Sequence, residues 1–409
     1  MANRPEDHIG AIDNVNEAFF DALVRHQIFL LRFEGSVRNE ITKLLNATEK
    51  DIATQIKKRM AGMKGGATPA NLRRLEVLNQ AIRKLRTKSW NQVNKIWTEQ
   101  MLELAASEPT FMDKALKTVA PVILDTVLPS AEVLRNIVTS KPFEGRVLKE
   151  WADELKRADL ARIEQSLKIG LVQGESANQI ARRVIGTKKV LGRDGVTQIT
   201  RHQMAAIVRT AVIHVSNQAK REFYKENSDL FDEELYVATL DSRTTPVCRA
   251  EDGKKYPIGE GPIPPLHIGC RSLRVALLNG TALGTRPVRE FTNKQLLREF
   301  SQGRGIKIAT KRSKLPYGMK GQFDDFARKR VRELTGTIDA KVTYQDWLGR
   351  QSIQFQNDVL GTTRARLFRK GDVTLDRFVN RQGDQIPLSN LAVLNKKAFT
   401  DAGLNPEDF

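Results

Sequence analysis

The chain has 409 residues, 40% apolar and 28% charged, with 67 Lys and Arg against 48 Asp and Glu and a formal charge of +19. That length accommodates two or three domains, and an excess of this size points to a polyanionic partner, nucleic acid before an anionic membrane surface. Two cysteines exclude a disulfide framework and a Cys-rich zinc module, and no run of about 18 apolar residues offers a membrane-spanning helix.

The start, MANRPEDHIGAIDNVNEAFF, lacks a basic segment followed by an apolar one, so no signal peptide is read and synthesis in a cytoplasm is expected. Ile12, Val15, Phe19, Leu23, Leu30 and Phe33 recur at roughly helical spacing and predict a helix over 10–60. KGGATPAN (64–71) breaks it, because Gly-Gly and Pro do not continue a helix. A second amphipathic helix follows on Leu75, Leu78, Ile82 and Leu85, with Arg73, Arg74, Arg83, Lys84, Arg86 and Lys88 on its other faces. The apolar, proline-punctuated APVILDTVLPSAEVL (120–134) reads as a buried connector.

Residues 141–186 carry two helices, the second opened by a Ser176-x-x-Gln179 capping box. TKKVLGRDGVTQIT (187–200) reads as a hairpin around Gly-Arg-Asp-Gly, and 201–224 as a strong amphipathic helix. Residues 235–278 change character: LYVATLD and RSLRVALL read as strands separated by turn signals. From 290 helices resume, around the basic loop GRGIKIATKRSKLPYGMKG (303–321). The expected fold is mainly α with a small α+β module. Helical N- and C-terminal regions (1–135 and 286–409) flank a short-stranded, turn-rich island within 136–285.

The island concentrates the residues that could do chemistry: LDSRTTPVCRAEDGKKYPIGEGPIPPLHIGCRS (240–272) holds both cysteines and His267. Cys248, His267 and Cys270 are zinc-ligand types, but a closed site needs four ligands and the C-x2-C half-sites are missing; Thr245 and Ser272 stand nearby instead. Asp241, His202 or His214 would complete a site only through tertiary placement, so no metal and no cofactor is expected. A Cys–His nucleophile lacks an acidic orienter placed by sequence, and one histidine does not make an HNH-type nuclease, so no catalytic residue is assigned. Two buried reduced thiols are the preferred reading. A Cys248–Cys270 disulfide, closing a loop of about 23 residues and contributing roughly 3 kcal/mol, stays open as the alternative. Gly253 after Asp252 suits a left-handed turn position, and GEGPIPP (259–265) an extended path.

At these residues the chain resembles the phage head morphogenesis proteins, the minor head proteins of the Mu F-like and SPP1 gp7-like type. The resemblance rests on Thr239, Asp241, Arg243 and Thr244, then Cys248, Asp252 and Gly253, then Gly261, Pro262, Pro264 and Pro265, and finally His267, Cys270 and Arg271. The preceding helix carries Arg209, Thr210, Asn217, Ala219 and Tyr224 in the family's R-T…N-x-A-R…Y pattern, and 343–379 resembles the end of many members. Some members have C-x2-C and C-R-C where this chain has Thr245 and Ser272, a departure that argues against a metal here.

The resemblance implies a minor structural protein of a tailed-phage virion. It would be made in the host cytoplasm, lie inside the head near the portal vertex, and touch the portal protein or major capsid protein. A role in DNA packaging or ejection is implied too. The charge suggests non-specific contact with packaged double-stranded DNA. The candidate phosphate contacts are Arg182, Arg183, Lys188 and Lys189, then Arg304, Lys307, Lys311, Arg312 and Lys314, then Arg364, Arg366 and Arg369. No helix-turn-helix, RRM or finger pattern offers base readout. The alternatives are a toxin-like or nuclease effector carried by the phage and a DNA-condensing protein of the host. The effector would need a further C-terminal catalytic domain, and no histidine follows His267.

Overall fold

The computed structural model describes the backbone of residues 5–61, 68–120, 124–187, 194–278 and 284–409, and side chains from residue 14 onward. The chain is mostly helical, with two small sheets. In order come α1 (Pro5–Ala47), α2 (Glu49–Met60), α3 (Pro69–Val119), α4 (Ala131–Thr139), α5 (Leu148–Val172), α6 (Ala177–Ile185) and α7 (Thr197–Glu226). Then follow β1 (Glu233–Val237), α8 (Pro246–Glu251), β2 (Lys255–Pro257), β3 (Leu273–Leu277) and β4 (Thr285–Arg289). The C-terminal part holds α9 (Asn293–Gln302), α10 (Met319–Glu333), β5 (Thr335–Asp339), α11 (Tyr344–Gly349), α12 (Ile353–Leu360), α13 (Thr362–Lys370), α14 (Leu388–Leu394) and α15 (Lys396–Asp401). Among the described residues no helix is long and apolar enough to cross a membrane.

The helix expected over 10–60 is two helices, divided at Thr48, whose hydroxyl donates to the Leu45 carbonyl at 3.1 Å. Helix α3 starts where Thr68 caps it, accepting from the Asn71 N–H at 3.3 Å, with Pro69 in the first turn where its missing N–H costs nothing. Its 51 residues span about 75 Å. Trp90, Val93, Trp97, Met101 and Leu104 of α3 pack with Val37 and Ile41 of α1 and with Val208, Val212 and Val215 of α7. Burying each of these side chains contributes about 1.5–3 kcal/mol. Lower on the same helices, Phe19, Phe20, Met112, Leu116 and Phe223 meet β1 and β3 through Leu235, Val237 and Val275. Helix α7 thus joins the helical body to the sheet.

One basic residue expected on an outer face is in the core. Arg86 is fully buried; its Nε meets Asp159 Oδ2 at 2.5 Å and its NH1 donates to the Leu45 carbonyl at 2.6 Å. Trp90 Nε1 and the Thr200 hydroxyl also donate to Asp159, each at 2.9 Å, so the buried carboxylate is paired and hydrogen-bonded at once.

Two further expectations change. The connector at 120–134, of which 121–123 lie outside the described residues, is not buried throughout: Val127 and Leu128 are exposed, while Leu124 packs on the core, the Thr126 hydroxyl donates to Asp113, and the Asn227 side chain accepts from Val127 N at 2.7 Å and donates to Val127 O at 2.9 Å. The hairpin expected over 187–200 falls partly outside the described residues. Its described ends are closed by Asp194, which accepts from the N–H and hydroxyl of Thr187, and α7 already begins at Thr197. The Ser176–Gln179 capping box forms as expected.

The first sheet has the order β2-β1-β3, both pairs antiparallel, with Glu234 opposite Tyr256 on one side and Ala276 on the other. The second, β4 against β5, joins residues 285–289 to 335–339, where only helix was expected. Beyond it α11 to α15 enclose a separate core around Tyr344, Trp347, Phe355, Leu367, Phe378 and Phe399.

Candidate functional site

Residues 238–272 leave β1, make the short helix α8 and strand β2, and return along a glycine- and proline-rich path into β3. Few ladder bonds hold this path; side chains do. Gly253 adopts φ +83° and sends its N–H to Tyr236 O at 2.9 Å, as the Asp-Gly turn predicted. The 259–265 stretch lies over buried Arg274 of β3, whose NH1 donates to Pro262 O at 2.9 Å and Glu260 O at 3.3 Å while its guanidinium covers the Tyr256 ring at 4.7 Å. Glu234 faces the same guanidinium at 3.3 Å; burial raises its carboxyl above the ordinary value, against the pull of Arg274. The Pro264–Pro265 peptide is cis.

Two buried carboxylates organise the knot. Asp241 receives Arg271 bidentately, at 2.6 and 2.8 Å, and accepts from the Arg243 backbone N–H at 2.9 Å and the Thr244 hydroxyl at 3.3 Å. Burial by itself would raise the Asp241 carboxyl, but Arg271 and then Arg243 hold it well below the usual carboxylate range. Asp252 accepts from Ala238 N at 2.6 Å, Tyr344 N at 2.6 Å and Arg286 at 2.7 and 3.0 Å. The Tyr344 hydroxyl also donates to Asp241 O at 2.8 Å. Arg286 comes from β4 and Tyr344 from α11, so the C-terminal region is fastened to both signature aspartates.

Beneath these pairs Cys248, His267 and Cys270 converge, their ligand atoms all within 4.8 Å of one another. The two sulfurs are 3.7 Å apart and unbonded, at 1% and 0% exposure. His267 Nδ1 meets the Ile268 carbonyl at 3.0 Å, and the Tyr236 hydroxyl lies 3.3 Å from Cys248 Sγ. A hydrogen bond from the Cys270 thiol lowers the Cys248 thiol against its burial, helped by His267, Ser272 and Tyr236, and Cys270 is pushed up in turn. Burial would lower the His267 imidazole, but the Cys248 sulfur beside it raises it above its ordinary value. His202 is exposed on α7, and His214 lies against Phe143 with ring centroids 5.2 Å apart, so neither joins the cluster.

The helix preceding the knot contributes through residues of the resemblance. The Thr210 hydroxyl accepts from Gly269 N at 2.9 Å, and Asn217 accepts from Arg274 N at 3.1 Å. Arg209 faces Glu34 of α1 at 3.5 Å. Arg274, Arg286 and Tyr344 are the structural residues that sequence signals missed. Asp252 was read within the resemblance and as part of an Asp-Gly turn, but nothing local announced its partners Arg286 and Tyr344.

The basic candidates separate by environment. Lys307, Lys311 and Lys314 are exposed and make no ion pair among the described residues, and Arg182 is exposed at the end of α6. Arg304 covers the Phe300 ring at 4.8 Å and bonds Gln322; Arg312 pairs with Asp324 and Arg183 with Glu175. The three arginines of α13 are half-buried and bond within the C-terminal region: Arg364 donates to Ile386 O at 2.7 Å, Arg366 to Gly403 O at 3.0 Å, and Arg369 to Gln356 and Asn357. Lys188 and Lys189 lie outside the described residues.

Residues 161–274 match the family model described as Phage Mu protein F like protein. The match runs from within α5 to Arg274 of β3 and takes in the whole knot and the sulfur–imidazole cluster, in keeping with the resemblance read from the sequence. No curated protein and no solved structure matches the chain.

Proposed function

With a Mu protein F-like segment at 161–274 as premise, we propose that this chain is a minor structural component of a tailed-phage head. In this reading it sits inside the head near the portal vertex, contacts the portal or major capsid protein, and assists packaging or ejection of DNA. The observation that carries it is that the signature residues inside the matched segment serve structure. Asp241, Thr244, Gly253 and Arg271 bond one another or the backbone, and Thr210 and Asn217 hold the knot to α7. The role is structural rather than catalytic: the Cys248 sulfur is enclosed, and His267 turns its Nδ1 to a backbone carbonyl instead of a carboxylate.

The charge of +19 and the exposed lysines of the 303–318 loop support non-specific contact with phosphates. Fractionation of proheads and mature particles from infected cells, probed for this chain, tests the proposal. Presence in either supports it, and absence from both removes it.

A further inference from the structure

We propose that Cys248, Cys270 and His267 are the protein ligands of one zinc ion that pins the two ends of the 240–272 knot together. The sequence expectation of no metal rested on three ligand types where a closed site needs four, on the missing C-x2-C half-sites, and on Thr245 and Ser272 standing where some members of the family have cysteines. In space the donors come instead from α8 and from the turn leading into β3, and they meet at one point.

The distances fit a tetrahedral ion. Two thiolates bound at about 2.3 Å across a tetrahedral angle stand about 3.8 Å apart; the sulfurs stand at 3.7 Å, well beyond the roughly 2.05 Å of a disulfide. The imidazole is also prepared. Its Nδ1 proton is directed to the Ile268 carbonyl at 3.0 Å, which leaves Nε2 as the coordinating nitrogen, and a backbone carbonyl is a common outer partner of metal-bound histidine. The Tyr236 hydroxyl donates toward Cys248 Sγ at 3.3 Å, and Ser272 is buried two residues along the chain from Cys270. Three protein donors leave the fourth position of the tetrahedron to a water or to a neighbouring hydroxyl such as that of buried Ser272. Two sulfurs and a nitrogen select zinc over magnesium or calcium, which take oxygen. An ion here would fasten a path that has few ladder bonds of its own, and it is independent of the role proposed above.

The test uses the full chain, reduced, stripped with a chelator and re-equilibrated with zinc chloride or cobalt chloride alone. One zinc per chain should survive gel filtration, and cobalt should give a thiolate charge-transfer band with tetrahedral ligand-field bands. C248S and C270S should lose both signals, and zinc should raise the melting temperature of the wild type only. Retention of no zinc, a six-coordinate oxygen-type cobalt spectrum, or equal uptake by the C248S/C270S chain overturns the site. Should the serine variants not fold, H267Q, at the half-buried ligand, reads the site in a folded chain. The thiolate charge-transfer band should then persist while the ligand-field bands shift, and a spectrum unchanged from wild type overturns the proposal.

Discussion

Arg286 of β4 and Asp252 of the Asp-Gly turn form a buried bidentate ion pair, at 2.7 and 3.0 Å, with side chains 3% and 0% exposed. The pair links the Mu F-like segment to a strand outside it. Removing the carboxylate leaves the buried guanidinium without its counter-charge, holding only the Val342 and Ala238 carbonyls, and leaves the backbone N–H groups of Ala238 and Tyr344 without an acceptor. Asp252→Ala should therefore lose about 3–5 kcal/mol in urea unfolding. Asp252→Asn, which keeps an acceptor, should lose less, and equal losses for the two would contradict the hub.

Next to that hub Gly253 should not tolerate a side chain. A Cβ there would lie 2.7 Å from Thr343 Cγ2, and φ is +83°. Gly253→Ala should cost about 1–3 kcal/mol through strain and contact together. Thr343→Ser removes the methyl and keeps the hydroxyl that caps α11 by accepting from Asp346 N at 3.2 Å. Added to Gly253→Ala, it should return the contact part of the loss and leave the backbone part, readable as a partial recovery of the unfolding midpoint.

How far local signals reached follows from which bonds were local. β1, β3 and α7 were legible because apolar spacing and turn residues sit side by side in the chain, and so was Gly253, whose requirement is its own φ. Asp252 read as a turn residue because its partners lie 14, 34 and 92 positions away. Arg86 read as surface because nothing near it announces Asp159, 73 positions on. β5 escaped because five mostly polar residues directly after a helix carry no alternating apolar pattern; their pairing with β4 is set by the fold. The sulfur cluster was legible as residue types and not as a place, since Cys248 and Cys270 are brought together only by the path between them.

Two buried groups make stability depend on acid in separate windows. His214 is buried, and its desolvation, then Lys141 nearby, lowers its pKa from 6.5 to about 4. The unfolded chain takes up that proton first, so stability falls as pH drops from about 6.5 toward 4. Glu108 lies fully buried between His26 at 2.6 Å, Ser216 at 2.7 Å and Lys220 at 3.3 Å. Burial raises its carboxyl, but Lys220, His26 and Ser216 outweigh it and bring the pKa from 4.5 to about 2. Its contribution is present above the unfolded value and is lost as pH falls from about 4.5 toward 2. Urea midpoints measured against pH should show both descents. His214→Phe should flatten the upper one and Glu108→Gln the lower one, and variants with the wild-type profile would contradict the assignment.

The cationic candidates make opposite predictions according to where they point. Lys307, Lys311 and Lys314 are exposed on the 303–318 loop and make no ion pair among the described residues, so replacing them with alanine should leave stability within about 0.5 kcal/mol. If the loop contacts phosphates, the triple variant should bind random-sequence duplex more weakly, and its slope of log K against log salt should be shallower by up to about 2.7. The α13 arginines should behave the other way round. Arg364 and Arg366 donate to the Ile386 and Gly403 carbonyls and Arg369 to Gln356, so their alanine variants remove acceptor pairings that hold the C-terminal core and should lower the unfolding midpoint. Their salt slope should stay that of the wild type. A duplex-binding titration at several salt concentrations, run beside urea unfolding on both variants, separates a phosphate-facing loop from a merely solvated one. An unchanged slope in the lysine variant would remove this loop from the DNA contact.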